Sequence, residues 1–141
     1  MSTRASGGLI GPARLLHTML RVRDLQRSID FYVEKLGMRL LRRQEFPEGQ
    51  FTLAFMGYGD EDHETVIELT HNWGDYEYSH GTGGFGHVAL GVTDVYSAAR
   101  ALADAGVRIL RAAGPLKGDP SEIIAFLEDP DGYRIELVGA A

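Results

Sequence analysis

Polar and apolar residues alternate from His17 to Val22 and again from His87 to Val92. Alternation of that kind predicts a strand at each place. An acid follows each strand, Asp24 and Asp94, at the position where a helix N-cap belongs. Behind Asp24, the residues Leu25, Ile29, Tyr32, Val33 and Leu36 fall on one face of a helix. Gly37 and Gly106 sit where a left-handed C-terminal cap would close each helix. Strands are then predicted at Met38–Gln44, Phe51–Gly57 and Thr65–Thr70, and at Val107–Ala112, Ile123–Glu128 and Tyr133–Val138. Asp129-Pro130-Asp131-Gly132 reads as a turn, with proline setting one φ and glycine supplying a positive one.

The order βαβββ therefore occurs twice, and the residues repeat with it. HTMLRVRDLQRSIDFYVEKLGMRLLR from His17 matches HVALGVTDVYSAARALADAGVRILR from His87. His17 pairs with His87, Val22 with Val92 and Asp24 with Asp94. After a one-residue slip, Gly37 pairs with Gly106 and Leu41 with Leu110. Ala54-Phe55 echoes Ala125-Phe126, and Ile67-Glu68-Leu69 recurs as Ile135-Glu136-Leu137. The expected class is α+β: a single domain over residues 15–139, built from modules at about 17–75 and 85–139. Residues 1–14 are small, polar and glycine-rich and are expected to form a disordered arm. They lack the apolar stretch of a secretory signal, and Arg4 and Arg14 without an acid are a weak match to a transit peptide. Gly81–Gly86 has no strand–loop–helix context and reads as a connector.

Composition narrows the chemistry. The chain has 141 residues, 44% hydrophobic and 24% charged, the proportions of a globular domain. Its net charge of −6 makes it a poor partner for nucleic acid or an anionic membrane. It has no run of about 18 apolar residues, so no membrane-spanning segment is expected, and the cytoplasm is the expected compartment. There is no cysteine. Disulfides, thiolate nucleophiles and thiolate-bound zinc are excluded, and any metal must rest on His, Asp or Glu.

Each module begins with a histidine and ends with a glutamate. Strand alternation puts His17 on the face of Met19 and Arg21, and Glu68 on the face of Val66 and Thr70. His87 likewise shares a face with Ala89 and Gly91, and Glu136 with Arg134 and Val138. A charge in a mostly apolar strand is costly unless paired or bound to a metal. One such residue is unremarkable on a half-exposed strand; a His–Glu pair repeated at equivalent positions points to a His₂Glu₂ set for a divalent transition metal. The other histidines fit less well. His63 lies in the acidic stretch Asp60–Glu64, expected to be a solvated hairpin tip; His80 lies in the connector; His71 is expected just past a strand. Phe51, Leu53 and Phe55 alternate onto one face, which suits a substrate wall and a core strand equally.

The stretches LLHTMLRVRDLQRSIDFYVEKLGM, FTLAFMGYG, VIELTHNWG, GFGHVALGV and AFLEDPDGYRIEL, from Leu15 to Leu137, resemble glyoxalase I (lactoylglutathione lyase), in the vicinal-oxygen-chelate superfamily. The resemblance implies a fold of cup-shaped mixed sheets and a metal held by His17, Glu68, His87 and Glu136. It implies a glutathione carboxylate contact at Arg21, another glutathione contact at Asn72, and a hydrophobic pocket at Phe51, Leu53, Phe55, Ile124 and Phe126. The implied reaction takes the hemithioacetal of methylglyoxal and glutathione to S-lactoylglutathione, detoxifying methylglyoxal. A proton leaves the carbon beside a masked carbonyl, an enediolate forms, and a divalent ion stabilises its two vicinal oxygens. A carboxylate of the ligand set, chiefly Glu136 with Glu68 on the opposite side, moves the proton.

Some members of that family carry a basic residue four before the second histidine, where this chain has Gly83. Their later lysine falls near Gly114, with Lys117 a loose substitute. Short members with histidine as first ligand favour nickel or cobalt, and zinc stays open. The resemblance also implies a homodimer with sites between subunits, although pairing of the two modules within one chain is not distinguished from pairing between chains. The alternatives are another metal enzyme of the superfamily (an epimerase or a two-His-one-carboxylate dioxygenase) and a non-catalytic drug-binding protein of the same fold.

Overall fold

The computed structural model describes residues 8–81 and 83–141; the arm expected over residues 1–14 lies partly outside that range. Strand β1 (His17–Arg21) leads into helix α1 (Leu25–Asp30), whose last turns widen into a π-helical segment at Phe31–Lys35. Strands β2 (Arg39–Phe46), β3 (Phe51–Gly57) and β4 (Val66–Asn72) complete the first module. The second repeats the order with β5 (Val88–Gly91), α2 (Val95–Asp104), β6 (Ile109–Leu116), β7 (Asp119–Glu128) and β8 (Arg134–Ala140). Each module forms its own four-stranded mixed sheet, in the orders β1-β4-β3-β2 and β5-β8-β7-β6. The first and last strands of a module run parallel, and the other pairs are antiparallel.

The caps form as the pattern predicts. The Asp24 carboxylate accepts from the Arg27 amide at 3.0 Å, and that of Asp94 from the Ser97 amide at 3.1 Å. Each satisfies an amide that the first helical turn leaves without a partner. Gly37 and Gly106 end the helices at φ +74° and +89°, a conformation that a β-carbon would strain. The expected apolar face of the first helix is corrected at one residue. Leu25, Ile29 and Tyr32 are buried, but Val33 is 37% exposed. The π-helical turn takes more residues than an α turn and rotates the next side chain out of the stripe. Strand ends also differ from the pattern: β2 runs on to Phe46, β4 to Asn72, β6 to Leu116 and β8 to Ala140, while β7 begins at Asp119. Ladder hydrogen bonds to a neighbouring strand continue where alternation stops.

One face of each sheet faces a shared core. Ala54, Met56, Ile67 and Leu69 of the first sheet, Ile123, Ala125, Leu127, Ile135 and Leu137 of the second, and the buried sides of both helices form one cluster. A polar bridge inside it joins the modules. The buried Tyr32 hydroxyl donates to Asp129 at 2.7 Å and the Ser28 hydroxyl to Asp131 at 3.1 Å. The Arg23 amide and guanidinium donate to the same Asp131 carboxylate at 3.0 and 3.2 Å. Burial pushes the Asp129 carboxyl above the usual carboxylate range, against the opposing pull of its hydrogen bonds from Tyr32, Tyr133 and Asp131. The folded state therefore holds that proton more firmly than the unfolded chain does. This contribution to stability is present in acid and fades as pH rises through the raised value.

Tyr32→Phe is expected to lower unfolding free energy at neutral pH by about 1.5–3 kcal/mol, since a buried carboxylate loses a donor. The loss should shrink in acid, where Asp129 is protonated. Urea unfolding at the two pH values measures it; an unchanged midpoint at neutral pH would show that the hydroxyl contributes nothing.

Candidate metal centre

Parallel pairing of β1 with β4 sets Met19 opposite Glu68 and leaves His17 one strand step away on the same face. The His17 Nε2 atom lies 2.9 Å from Glu68 Oε1. In the second module β5 pairs with β8 in the same way, Ala89 opposite Glu136, and His87 stands just ahead of β5. Its Nε2 lies 3.0 Å from Glu136 Oε1. In both pairs the imidazole is the more open partner, 37% and 40% exposed, and the carboxylate the more covered, 13% and 15%.

An aromatic ring backs each pair. Phe55 is the register partner of Glu68 and meets the His17 ring edge-on at 5.8 Å. Phe126 is the register partner of Glu136 and meets His87 edge-on at 5.2 Å. In each module the ring lies edge-on to the imidazole whose Nε2 faces the carboxylate. One difference separates the halves. The Thr70 hydroxyl donates to the second oxygen of Glu68 at 3.2 Å. The equivalent neighbour of Glu136 on β8 is Val138, which has no hydroxyl to offer. Glu68 is thus tethered through both oxygens and Glu136 through one.

An imidazole nitrogen and a carboxylate oxygen converging on one point are donors that suit a divalent transition metal. Two donors are half a set. Among the described residues no group of three or more His, Asp or Glu side chains is placed to hold an ion. Within one chain the four candidates stand as two pairs on two sheets.

The residues matched to glutathione contacts meet in one hollow. Arg21, at the end of β1, and Asn72, at the end of β4, line a space of about 540 Å³ with Met19, Tyr76, Tyr78 and Tyr133. The Tyr133 hydroxyl donates to the Arg21 carbonyl at 2.8 Å, so the second module steadies the strand end that carries Arg21. Phe51, Leu53 and Phe55 share the face of Glu68, with Phe51 stacked on Phe46 at 4.8 Å. Ile124 and Phe126 share the equivalent face of the second sheet, Ile124 being buried. Lys117 lies on the exposed turn between β6 and β7 and lines neither this hollow nor the one beside His87.

Two histidines behave as expected and one does not. His63 pairs with Asp60 at 2.8 Å on the exposed β3–β4 loop. His80 lies on the connector, against the Tyr133 ring at 4.5 Å. His71, expected beyond a strand, is inside β4 and half-buried, its Nδ1 3.3 Å from the Val22 carbonyl.

Arg42 and Arg111 were not singled out from the sequence, although the signal was there: GMRLLR and GVRILR end on them in the repeat. A bulge at Leu41 and another at Leu110 set them opposite Phe55 and Phe126. The Arg42 guanidinium lies 3.8 Å above the Phe55 ring and pairs with Glu61 at 2.7 Å. Arg111 turns aside and donates to the carbonyls of Gly114, Pro115 and Ile124 at 3.0–3.1 Å. One position of the repeat thus covers a site wall in the first module and braces a hairpin in the second.

Residues 14–137 match the model of the Glyoxalase/Bleomycin resistance protein/Dioxygenase superfamily, and the chain belongs to that superfamily. Within it, the chain is 57% identical over 125 residues to the lactoylglutathione lyase of Escherichia coli O157:H7, covering 89% of this chain and 91% of that protein. It superposes on glyoxalase I from Zea mays with a TM-score of 0.85 at 46% identity over 91% of its length, spanning 45% of the longer maize chain. The Leishmania major glyoxalase I, described as trypanothione-dependent, superposes with a TM-score of 0.80 at 46% identity, over 90% of this chain and 86% of that one.

Proposed function

We propose that this protein isomerises the hemithioacetal of methylglyoxal and glutathione to S-lactoylglutathione. The observation that carries the reading is the repeated His–Glu pair, 2.9 Å in one module and 3.0 Å in the other, each backed by a phenylalanine. Identity of 57% to a lactoylglutathione lyase, over nearly the whole of both chains, supports it.

His17, Glu68, His87 and Glu136 would hold one divalent ion, with nickel or cobalt preferred to zinc. When bound, such an ion supplies electrophilic stabilisation of negative charge on vicinal oxygens. Since the two pairs stand on separate sheets of one chain, the reading includes a homodimer in which each site takes one pair from each subunit. Arg21 and Asn72 hold the thiol through charge-assisted and neutral hydrogen bonds. Phe51, Leu53, Phe55, Ile124 and Phe126 exclude water from the small apolar end of the substrate. Glu136 takes the proton from the carbon that bears sulfur and returns it to the neighbouring carbon. Its single tether suits a carboxylate that must swing between two carbons, and Glu68, held also by Thr70, stays in place. The compartment proposed is the cytoplasm, where glutathione is kept reduced.

The test is absorbance at the thioester band after mixing methylglyoxal and glutathione with apo-protein reloaded with nickel, cobalt or zinc. Thioester formation fastest with nickel or cobalt is expected. No thioester with any of the ions would overturn the activity, and zinc clearly fastest would overturn the metal preference. Arg21→Ala is expected to cut kcat/KM about ten- to a hundredfold with bound metal unchanged, because it removes one hydrogen bond to a charged group. Steady-state rates and metal analysis check it, and an unaltered kcat/KM would remove Arg21 from the thiol site.

A further inference from the structure

Beside the second His–Glu pair lies a cation for which the mechanism above has no use. A hollow of about 400 Å³ is lined by His80, Phe85, His87, Phe126, Tyr133 and Arg134, with glycines of the connector closing one side. β8 begins at Arg134. Strand alternation puts the Arg134 side chain on the face of Glu136, one step toward the strand's start. Its cross-strand partner is Glu128, but Arg108 holds that carboxylate at 3.2 Å. Among the described residues Arg134 makes no ion pair. Arg21 also makes none, and it stands on the face of His17 in the first module's hollow.

Each half of the site thus presents one arginine with no ion pair among the described residues, Glu77 in the first hollow being paired with Arg23 at 3.7 Å, in a chain whose net charge is −6. A guanidinium in a concave, polar hollow focuses a positive potential there and offers a planar fork to a carboxylate. Glutathione carries two carboxylates, one on the γ-glutamyl residue and one on the glycine. We propose that Arg134 is a specificity-determining residue that binds the thiol carboxylate Arg21 does not hold. Arg134 rides on the strand of Glu136 and lines the hollow of His87. Whichever sheet completes the four-donor set therefore brings Arg134 to the same substrate. The inference rests on the isomerase reading and adds a recognition contact that the repeat did not announce, since position 134 has no arginine counterpart beside Glu68, where Val66 stands.

The experiment compares metal-loaded wild type, Arg134→Gln and Arg134→Lys on three hemithioacetals of methylglyoxal. The thiols are glutathione, its glycyl monoethyl ester, and 4-aminobutanoyl-cysteinylglycine, which lacks the γ-glutamyl carboxylate. With glutathione, Arg134→Gln is expected to lower kcat/KM about ten- to a hundredfold, the loss of one charge-assisted contact. Most of the loss should appear in KM, with bound metal unchanged. Arg134→Lys, which keeps the charge and loses the fork, should fall between. For one of the two analogues the penalty should shrink to under about threefold, because that thiol has nothing left for Arg134 to bind. An equal penalty on all three thiols, or none on glutathione with an active wild type, would overturn this inference alone. A metal-loaded wild type inactive on all three would overturn the isomerase reading, and this inference with it.

Discussion

Glu136→Gln is expected to lower kcat by about 10²–10⁴ while leaving part of the metal bound. A general base contributes about that factor. The amide is nearly the same size and keeps a neutral oxygen for the ion, but it does not accept a proton at neutral pH. The family resemblance implies Glu136 rather than Glu68 as the base, and one geometric difference favours the same choice. Both carboxylates meet a histidine, at 3.0 and 2.9 Å, but only Glu68 also accepts a hydroxyl, from Thr70 at 3.2 Å. A base that collects a proton at one carbon and delivers it to the next must move, and a second tether opposes that. Glu68→Gln should therefore lose less than Glu136→Gln. Exchange of the substrate proton with deuterated solvent reads the same step directly. Near-normal turnover and exchange in Glu136→Gln would make it a ligand only, with the base elsewhere.

His17→Ala and His87→Ala should each lose bound metal and activity together, and an equimolar mixture of the two inactive proteins should recover activity. Removing one donor leaves a pair with a single carboxylate. A divalent ion held there would stabilise developing charge by several kcal/mol, so its loss would cost a factor of about 10² or more in rate. Recovery follows from the separation of the pairs, since no group of three candidate ligands forms among the described residues of one chain. If each site takes one pair from each subunit, a hybrid dimer has one site with both histidines and one with neither. Free exchange makes about half the dimers hybrid, and half the sites in those are intact. The mixture should reach about a quarter of wild-type activity, with metal content to match. Four ligands drawn from one chain would give a mixture as inactive as its parts, and that result would overturn the shared site.

Most of the fold was legible because its signals are local. Alternation marks β1 and β3 within a residue of their observed ends, since a strand with one face in a core must put every second side chain there. Asp24, Asp94, Gly37 and Gly106 mark both helices because their chemistry serves the backbone beside them. The repeat then made His17 and Glu68 meaningful by pointing to His87 and Glu136. Residues whose role depends on a distant partner stayed hidden. Tyr32 reads as one more apolar position on a helix, and only packing against the second module reveals the hydroxyl it donates to Asp129 at 2.7 Å.

By itself the sequence determined the two βαβββ modules and the helix limits at their caps, and it singled out four candidate metal ligands. Those follow from spacing along the chain and from repetition. Tertiary structure alone decided that the four stand as two separate pairs, because each sheet closes on strands of its own module and carries only its own histidine and glutamate. It also decided that Arg42 covers Phe55 while Arg111 braces a hairpin, and that Val33 turns outward. Bulges and a π-helical turn re-aim side chains by amounts that depend on the neighbour they pack against. It brought Arg21 and Asn72, at the ends of parallel neighbours β1 and β4, into one hollow. Strand pairing joins residues far apart along the chain, and the energy that selects one register is realised only when both strands are in place.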